Sequence, residues 1–95
     1  MDFLVRIDVN LPPELDEAAR AALLRREAER GRVLRDSGAL RQIWRIPGRL
    51  ANVGIWSAST PDELHDALTS LPVWSYADIS VTALATHPLA VDPPR

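Results

Sequence analysis

The chain reads as an α+β sandwich of order βαββαβ, an antiparallel sheet carrying both helices on one face. Three observations predict it. Four runs alternate apolar and polar residues with period two, two capped stretches carry apolar residues at helical spacing, and a Pro-Gly pair joins the middle two alternating runs.

The first run, Phe3-Leu4-Val5-Arg6-Ile7-Asp8-Val9, places Phe3, Val5, Ile7 and Val9 on one face of a strand and Leu4, Arg6 and Asp8 on the other. Asn10-Leu11-Pro12-Pro13 ends it. Asp16 or a neighbour can cap a long helix running to Asp36, where Ser37-Gly38 supplies the stop. At about 100° per residue, Leu15, Ala19, Ala22, Leu23, Val33 and Leu34 form one apolar arc, and Glu27 falls within about 40° of Leu23 and about 20° of Leu34.

Leu40 to Ile46 and Leu50 to Ser57 are the second and third strands, with Pro47-Gly48 as the turn of a hairpin. Strict alternation sets Leu40, Trp44 and Ile46 on one face of the second strand and Ile43 on the other, with Arg41 and Arg45 sharing the face opposite Trp44. On the third strand Asn52, Gly54 and Trp56 lie on one face, and Ala51, Val53 and Ile55 on the other.

Thr60 can cap a helix over Pro61 to Leu71, with proline at its first position and acids in its first turn. Its apolar face is Leu64, Ala67, Leu68 and Leu71. A break at Pro72 and a loop over Val73 to Tyr76 lead to the fourth strand, Asp78 to Leu84. Residues 86–95 form an irregular tail holding three prolines. The element order is that of a ferredoxin-like fold in one domain, residues 1–95. Two helices cover one side of such a sheet while the strands put apolar groups on both, so the other side calls for a partner chain. Sheet-to-sheet dimerisation is the expectation, giving a dimeric α+β barrel and a homo-oligomer built from dimers.

A formal charge of −2 gives no broad positive field, so neither nucleic acid nor an anionic membrane is an expected partner. No apolar run approaches the roughly 20 residues needed to span a bilayer, and the N-terminus reads as a strand rather than a signal segment. A soluble, cytoplasmic protein is expected. Without cysteine, and with His65 and His87 as its imidazoles, the chain offers no metal site of ordinary composition. All eleven cations are arginine, which excludes lysine Schiff bases and a phosphate-binding lysine loop. Chemistry must come from carboxylates, histidine, hydroxyls and arginine.

Among these, Glu27 is the leading general base, because a carboxylate at an apolar boundary can be tuned toward the working pH. The competing reading is a surface glutamate paired with Arg26 or Arg30. Burial would raise its pKa and those arginines would depress it, and the sequence does not decide between them. His65, beside the apolar stripe of the second helix, could donate to a substrate oxygen or be structural. Asn52 carries an amide among apolar side chains and must find a partner, in a ligand or in a loop. Tyr76 has the same two readings. Arg41 and Arg45 could clamp a carboxylate or be solvated sheet arginines. Trp44, Trp56 and Trp74 read as core or interface, since no basic stripe accompanies them.

At these residues the chain resembles the muconolactone Δ-isomerase family. The resemblance spans nearly the whole length: Leu11-Pro12, Glu27, Arg41-Gln42-Ile43-Trp44-Arg45-Ile46 with Gly48, Ala51-Asn52, Leu64-His65, Leu71-Pro72, Tyr76-Ala77-Asp78-Ile79 and His87-Pro88. It implies a ferredoxin-like protomer, dimers closed through their sheets and a ring-like decamer. It also implies a cofactor-free reaction of the β-ketoadipate route, in which one proton moves across the unsaturated lactone as muconolactone becomes 3-oxoadipate enol-lactone. Glu27 matches the family's acid. Asn52, His65 and Tyr76 would donate to the dienolate, and an arginine such as Arg41 or Arg45 would meet the substrate carboxylate.

This chain departs from the family pattern at Leu40, where an aromatic residue is usual, at Leu50, where a tyrosine is usual, and at Gly54, where a serine is usual. Ser75 stands where a proline is common. If all three of the first group touch substrate, the pocket is less polar and differently shaped. Dehalogenation of chlorinated muconolactones, isomerisation of another lactone or enone, and a non-catalytic ligand-binding or assembly module therefore stay open beside the named reaction.

Overall fold

The computed structural model describes residues 1–90. β1 (Asp2–Val9) lies inside the sheet, paired antiparallel with β3 (Ala51–Ser57) on one side and β4 (Ala77–Leu84) on the other, and β2 (Leu40–Arg45) closes the far edge against β3. The order is β2-β3-β1-β4. α1 (Glu17–Asp36) and α2 (Pro61–Thr69) cover one face.

Central placement makes β1 the core strand. Phe3, Val5 and Ile7 are buried with Leu40 and Trp56 from the neighbouring strands, Leu34 of α1, and Leu64, Leu68 and Leu71 at α2 and its exit. Each such side chain contributes about 1.5–3 kcal/mol on burial. The caps are as the sequence predicts. Asp16 Oδ1 accepts from the Ala19 N–H at 2.7 Å, and Thr60 Oγ1 accepts from the Glu63 N–H at 3.1 Å, while the Glu63 carboxylate reaches back to the Ser59 N–H at 3.3 Å. Gly48 sits at φ +78°, after Pro47, and the Arg49 N–H donates to the Ile46 carbonyl at 3.3 Å, which is the pattern of a type II turn.

Two expectations are corrected here. On α1 the contact stripe is narrower than the predicted arc: Leu23 and Leu34 are buried, but Ala19 is exposed and Val33 is 53 % exposed. Val33 stands about 100° round the helix from Leu34, outside the line that meets the sheet.

The second correction concerns β2, which does not alternate strictly. Its pairing with β3 shifts between Leu40 and Gln42, so that Leu40 faces Trp56, Ile43 faces Gly54, Trp44 faces Val53 and Arg45 faces Asn52. Directly paired residues share a face. Leu40, Ile43 and Arg45 therefore lie on the helix side with Asn52, Gly54 and Trp56, and Trp44 lies on the open side. An extra residue in one strand re-aims every side chain beyond it. Arg41 and Arg45 are thereby separated: Arg41 bonds Asp2 at 3.2 Å, next to the bulge.

Gly54 explains how β2 can bulge. A Cβ there would stand 2.6 Å from the Gln42 carbonyl oxygen and 3.5 Å from both the Ile43 Cα and the Leu40 Cδ1. Gly54→Ala is expected to destabilise the fold by about 1–3 kcal/mol, because the obstacle is backbone and not a yielding side chain. Urea unfolding checks this; an unchanged midpoint would show that β2 moves away freely.

α2 stops at Thr69, two residues short of the predicted end, and the chain continues in short turns through a 3₁₀ segment, Trp74–Tyr76. Leu71, Trp74 and Tyr76 donate their N–H groups to Leu68, Leu71 and Val73 carbonyls respectively. This tight path buries Val73 against the α1 side of the fold, where its N–H meets Glu27.

The face away from the helices mixes apolar and charged groups. Leu4, Trp44 and Leu84 are exposed there, Val53 and Ile55 are half-buried, and Arg6 pairs with Asp8 at 2.8 Å. Residues 86–90 of the expected tail carry no helix or strand; its last five residues lie outside the described part.

Candidate active site

Where α1 passes over the β2–β3–β1 end of the sheet, beside the α2 exit loop, the fold leaves a cavity of about 260 Å³. α1 supplies Leu24 and Glu27, and the exit loop supplies Val73. The sheet supplies Ile7, Ile43, Arg45 and Asn52, with Leu50 at the mouth of the hairpin. The lining is mainly apolar with a few polar groups, which is the usual character of a small-molecule site.

Helical spacing puts Glu27 on the line from Leu23 to Leu34, so the packing that buries those leucines also turns this carboxyl inward. It is half-buried. The Val73 N–H donates to its Oε1 at 3.2 Å, and among the described residues Oε2 has no hydrogen bond and neither oxygen has a cation partner. Arg26 is exposed, and Arg30 donates from Nε to Ser70 Oγ at 2.9 Å instead. The opposing effects on Glu27 are thereby ordered: burial pushes its pKa above the usual glutamate value, and the Val73 N–H pulls it back by less. One oxygen is held by a fixed donor while the other is free to exchange a proton.

Asn52 pairs with Arg45 on one side and Ile7 on the other, all on the helix-covered face. Its Oδ1 is buried and has no donor among the described residues. A buried amide oxygen without a partner costs about 1–3 kcal/mol, so a group that completes it only when a ligand is present is a natural occupant of the cavity.

The family model for muconolactone delta-isomerase matches residues 1–90. The chain belongs to the muconolactone delta-isomerase family. It is 39 % identical over 87 residues to muconolactone Delta-isomerase 2 of Acinetobacter lwoffii, covering 92 % of this chain and 91 % of that one. To the muconolactone Delta-isomerase of Cupriavidus pinatubonensis it is 38 % identical over 91 residues, covering 96 % and 99 %. The crystal structure of a muconolactone isomerase superposes with a TM-score of 0.90 at 35 % identity, over 99 % of this chain and 98 % of that one. The ferredoxin-like α+β fold read from the sequence is therefore that of a solved muconolactone isomerase.

Within this family member, the cavity brings together four of the candidate site residues singled out in the sequence: Glu27, Arg45, Leu50 and Asn52. Five others lie outside its lining. His65 is exposed on α2, whose buried positions are Leu64 and Leu68. Tyr76 is half-buried three residues beyond Val73, and its carbonyl accepts from the Asn10 N–H at 2.7 Å. Arg41 is held by Asp2. Leu40 and Gly54 pack against each other between β2 and β3, so two of the three departures from the family pattern belong to strand packing and not to the cavity wall. Leu50 is the departure that alters the lining.

Sequence reasoning missed Leu24, Ile43 and Val73. Leu24 adjoins the predicted stripe and could have been found by widening it. Ile43 was hidden by the bulge, and Val73 contributes through its backbone, which no side-chain pattern reveals.

Proposed function

We propose that this chain is a cofactor-independent isomerase that moves a proton across an unsaturated lactone, muconolactone to 3-oxoadipate enol-lactone or a close relative, with Glu27 as base and then acid. The observation that carries the reading is a half-buried carboxyl, held by one backbone N–H and without a cation partner among the described residues, that lines an apolar cavity together with the Asn52 amide, within this family. Glu27 Oε2 takes the ring proton next to the lactone oxygen. The electron pair spreads into a dienolate whose charge rests on the carbonyl oxygen, and the same carboxyl returns a proton to the carbon beside the carbonyl. One C–H bond breaks and one forms, so neither an oxidant nor a hydride carrier is needed. Val73 holds the carboxylate in place by its N–H, and the Asn52 amide is the donor for the charge that develops on oxygen.

A cytoplasmic location and a homo-oligomer built from sheet-to-sheet dimers belong to the same reading. Exposed Leu4, Trp44 and Leu84 support the dimer, since apolar groups clustered on an open sheet face favour a partner. The test of function is turnover of muconolactone by the full chain in D₂O, followed by absorbance and by NMR. Deuterium appearing beside the carbonyl supports the proton transfer; a folded protein that leaves muconolactone unchanged would overturn the assignment of substrate.

A further inference from the structure

Glu27 and Arg30 stand about one turn apart on α1, and both reach the short segment at the exit of α2. The Val73 N–H donates to Glu27 Oε1 at 3.2 Å, and three residues upstream the Ser70 hydroxyl accepts from Arg30 Nε at 2.9 Å. Residues three apart on a helix are surface neighbours, so the half-buried Arg30 side chain also lies within a rotamer change of the Glu27 carboxyl. Ser70 is what claims it. Its hydroxyl gives its one proton to the Ala67 carbonyl at 2.6 Å, which leaves its lone pairs for Arg30. The place suits a cation as well: Ser70 caps the C-terminal end of α2, where unpaired carbonyls collect negative partial charge, and the last turn of that helix has no basic residue of its own. Among the described residues the other charged groups around Glu27 make no ion pair with it. Arg26, next in the chain, is exposed, and Arg45 of β2 lines the cavity without bonding the carboxyl. The exit segment from Ser70 to Ser75 and the sheet residues Ile7, Val9, Ala51 and Asn52 carry no ionisable side chain, and Asp62, Glu63, His65 and Asp66 of α2 are exposed and outside the cavity.

We propose that Ser70 is a positioning residue of this site: its hydroxyl holds the Arg30 guanidinium on the end of α2 and so keeps the base, Glu27, without a cation partner. This deepens the isomerase reading and rests on it. A guanidinium against a carboxylate stabilises the ionised form and weakens it as a base, whereas an apolar cavity does the opposite. Loss of the Ser70 hydroxyl therefore separates two roles by sign. Released from Ser70, Arg30 turns to Glu27 Oε2 and lowers the proton affinity of the carboxyl. A merely structural Ser70 would instead, when lost, loosen the exit segment and weaken the Val73 N–H bond that pulls the Glu27 pKa down, so the proton affinity would rise.

The experiment follows the Glu27 carboxyl by carboxyl-carbon NMR titration, its signal being the one lost in Glu27→Gln. It compares wild type, Ser70→Ala, Ser70→Thr and the double variant Ser70→Ala with Arg30→Met, and takes the pH profile of kcat/KM on muconolactone in parallel. Ser70→Ala is expected to move both midpoints down by about one pH unit, the lower end of what a cation within reach does to a carboxylate, and to lower the plateau of kcat. Ser70 is exposed, so the variant should melt close to wild type. Ser70→Thr keeps the hydroxyl and should keep the wild-type midpoint, and in the double variant the downward movement should vanish with the guanidinium. A midpoint that stays or rises in Ser70→Ala, or one that falls equally in the double variant, would overturn the role of Ser70. The two readings fail separately, because the carboxyl titration needs no substrate. A midpoint lowered by Ser70→Ala in a protein whose wild type leaves muconolactone unchanged keeps the positioning and removes the isomerase, and turnover whose midpoint is indifferent to Ser70 does the reverse.

Discussion

Replacing Glu27 with glutamine is expected to lower kcat about 10²- to 10⁴-fold, the usual contribution of a positioned general base, while leaving the fold intact. Glutamine keeps an oxygen to accept the Val73 N–H, which in the wild type reaches Glu27 Oε1 at 3.2 Å, so the side chain should stay in place without its proton affinity. It also removes a charge that burial disfavours. The variant should therefore melt at the same temperature as wild type or higher, separating lost chemistry from lost structure. Parallel measurements of kcat and thermal unfolding decide the matter; a kcat within tenfold of wild type would remove Glu27 from the mechanism.

The same carboxyl should leave a signature in the pH dependence of stability. Its folded-state pKa is raised, chiefly by burial. Below the ordinary glutamate value both folded and unfolded chains hold the proton, and the group's contribution to stability is fully present. As pH rises through the interval up to the raised folded value, the unfolded chain gives up its proton first, and that stability is lost. Above the interval the curve is flat again. Unfolding free energies of wild type and Glu27→Gln, compared from acid to neutral pH, should diverge across that interval, with wild type falling relative to the variant. Activity should move oppositely, since the base must be ionised: kcat/KM is expected to rise at pH values above the ordinary glutamate range.

The sequence was most legible where one physical demand acts alone. β1 is covered by helices on one face along its whole length, so its alternation is clean and Phe3, Val5 and Ile7 are the buried set as read. Asp16 and Thr60 sit at caps because unpaired N–H groups at a helix start ask for a side-chain oxygen, whatever the tertiary fold. Glu27 was legible for a related reason: helical spacing alone places it between Leu23 and Leu34. β2 was not legible, because its bulge follows from a contact across strands. The signal for it is Gly54 on the neighbouring strand, where a side chain would strike the Gln42 carbonyl. From that one missed residue came the wrong faces for Ile43 and Trp44 and the false pairing of Arg41 with Arg45. His65 is a different case. Adjacency to Leu64 suggested a place near the core, but neighbours on a helix are about 100° apart, enough to carry the imidazole to solvent.

Asn52→Leu is expected to strengthen the fold while it weakens the enzyme. Asparagine is a poor strand residue, and here its Oδ1 is buried without a donor among the described residues, on a strand between Ile7 and Arg45. Leucine has nearly the same shape and removes the unmatched polar atom, so stability should rise by about 1–3 kcal/mol, the cost of leaving such a group unpaired. The unmatched Oδ1 is an acceptor that only a donor can complete; the end of the amide that could serve an oxyanion is its Nδ2–H group. If the amide donates to the oxygen on which the dienolate charge develops, its loss should lower kcat about 10²- to 10³-fold, as for other donors aimed at a developing oxyanion. The pairing of the two effects is the discriminating result, because a merely structural asparagine cannot produce it: removing a structural hydrogen bond lowers stability and activity together. Urea unfolding and steady-state kinetics on one preparation measure both. A less stable variant, or a more stable one with wild-type kcat, would assign Asn52 to the scaffold and leave the dienolate to another donor.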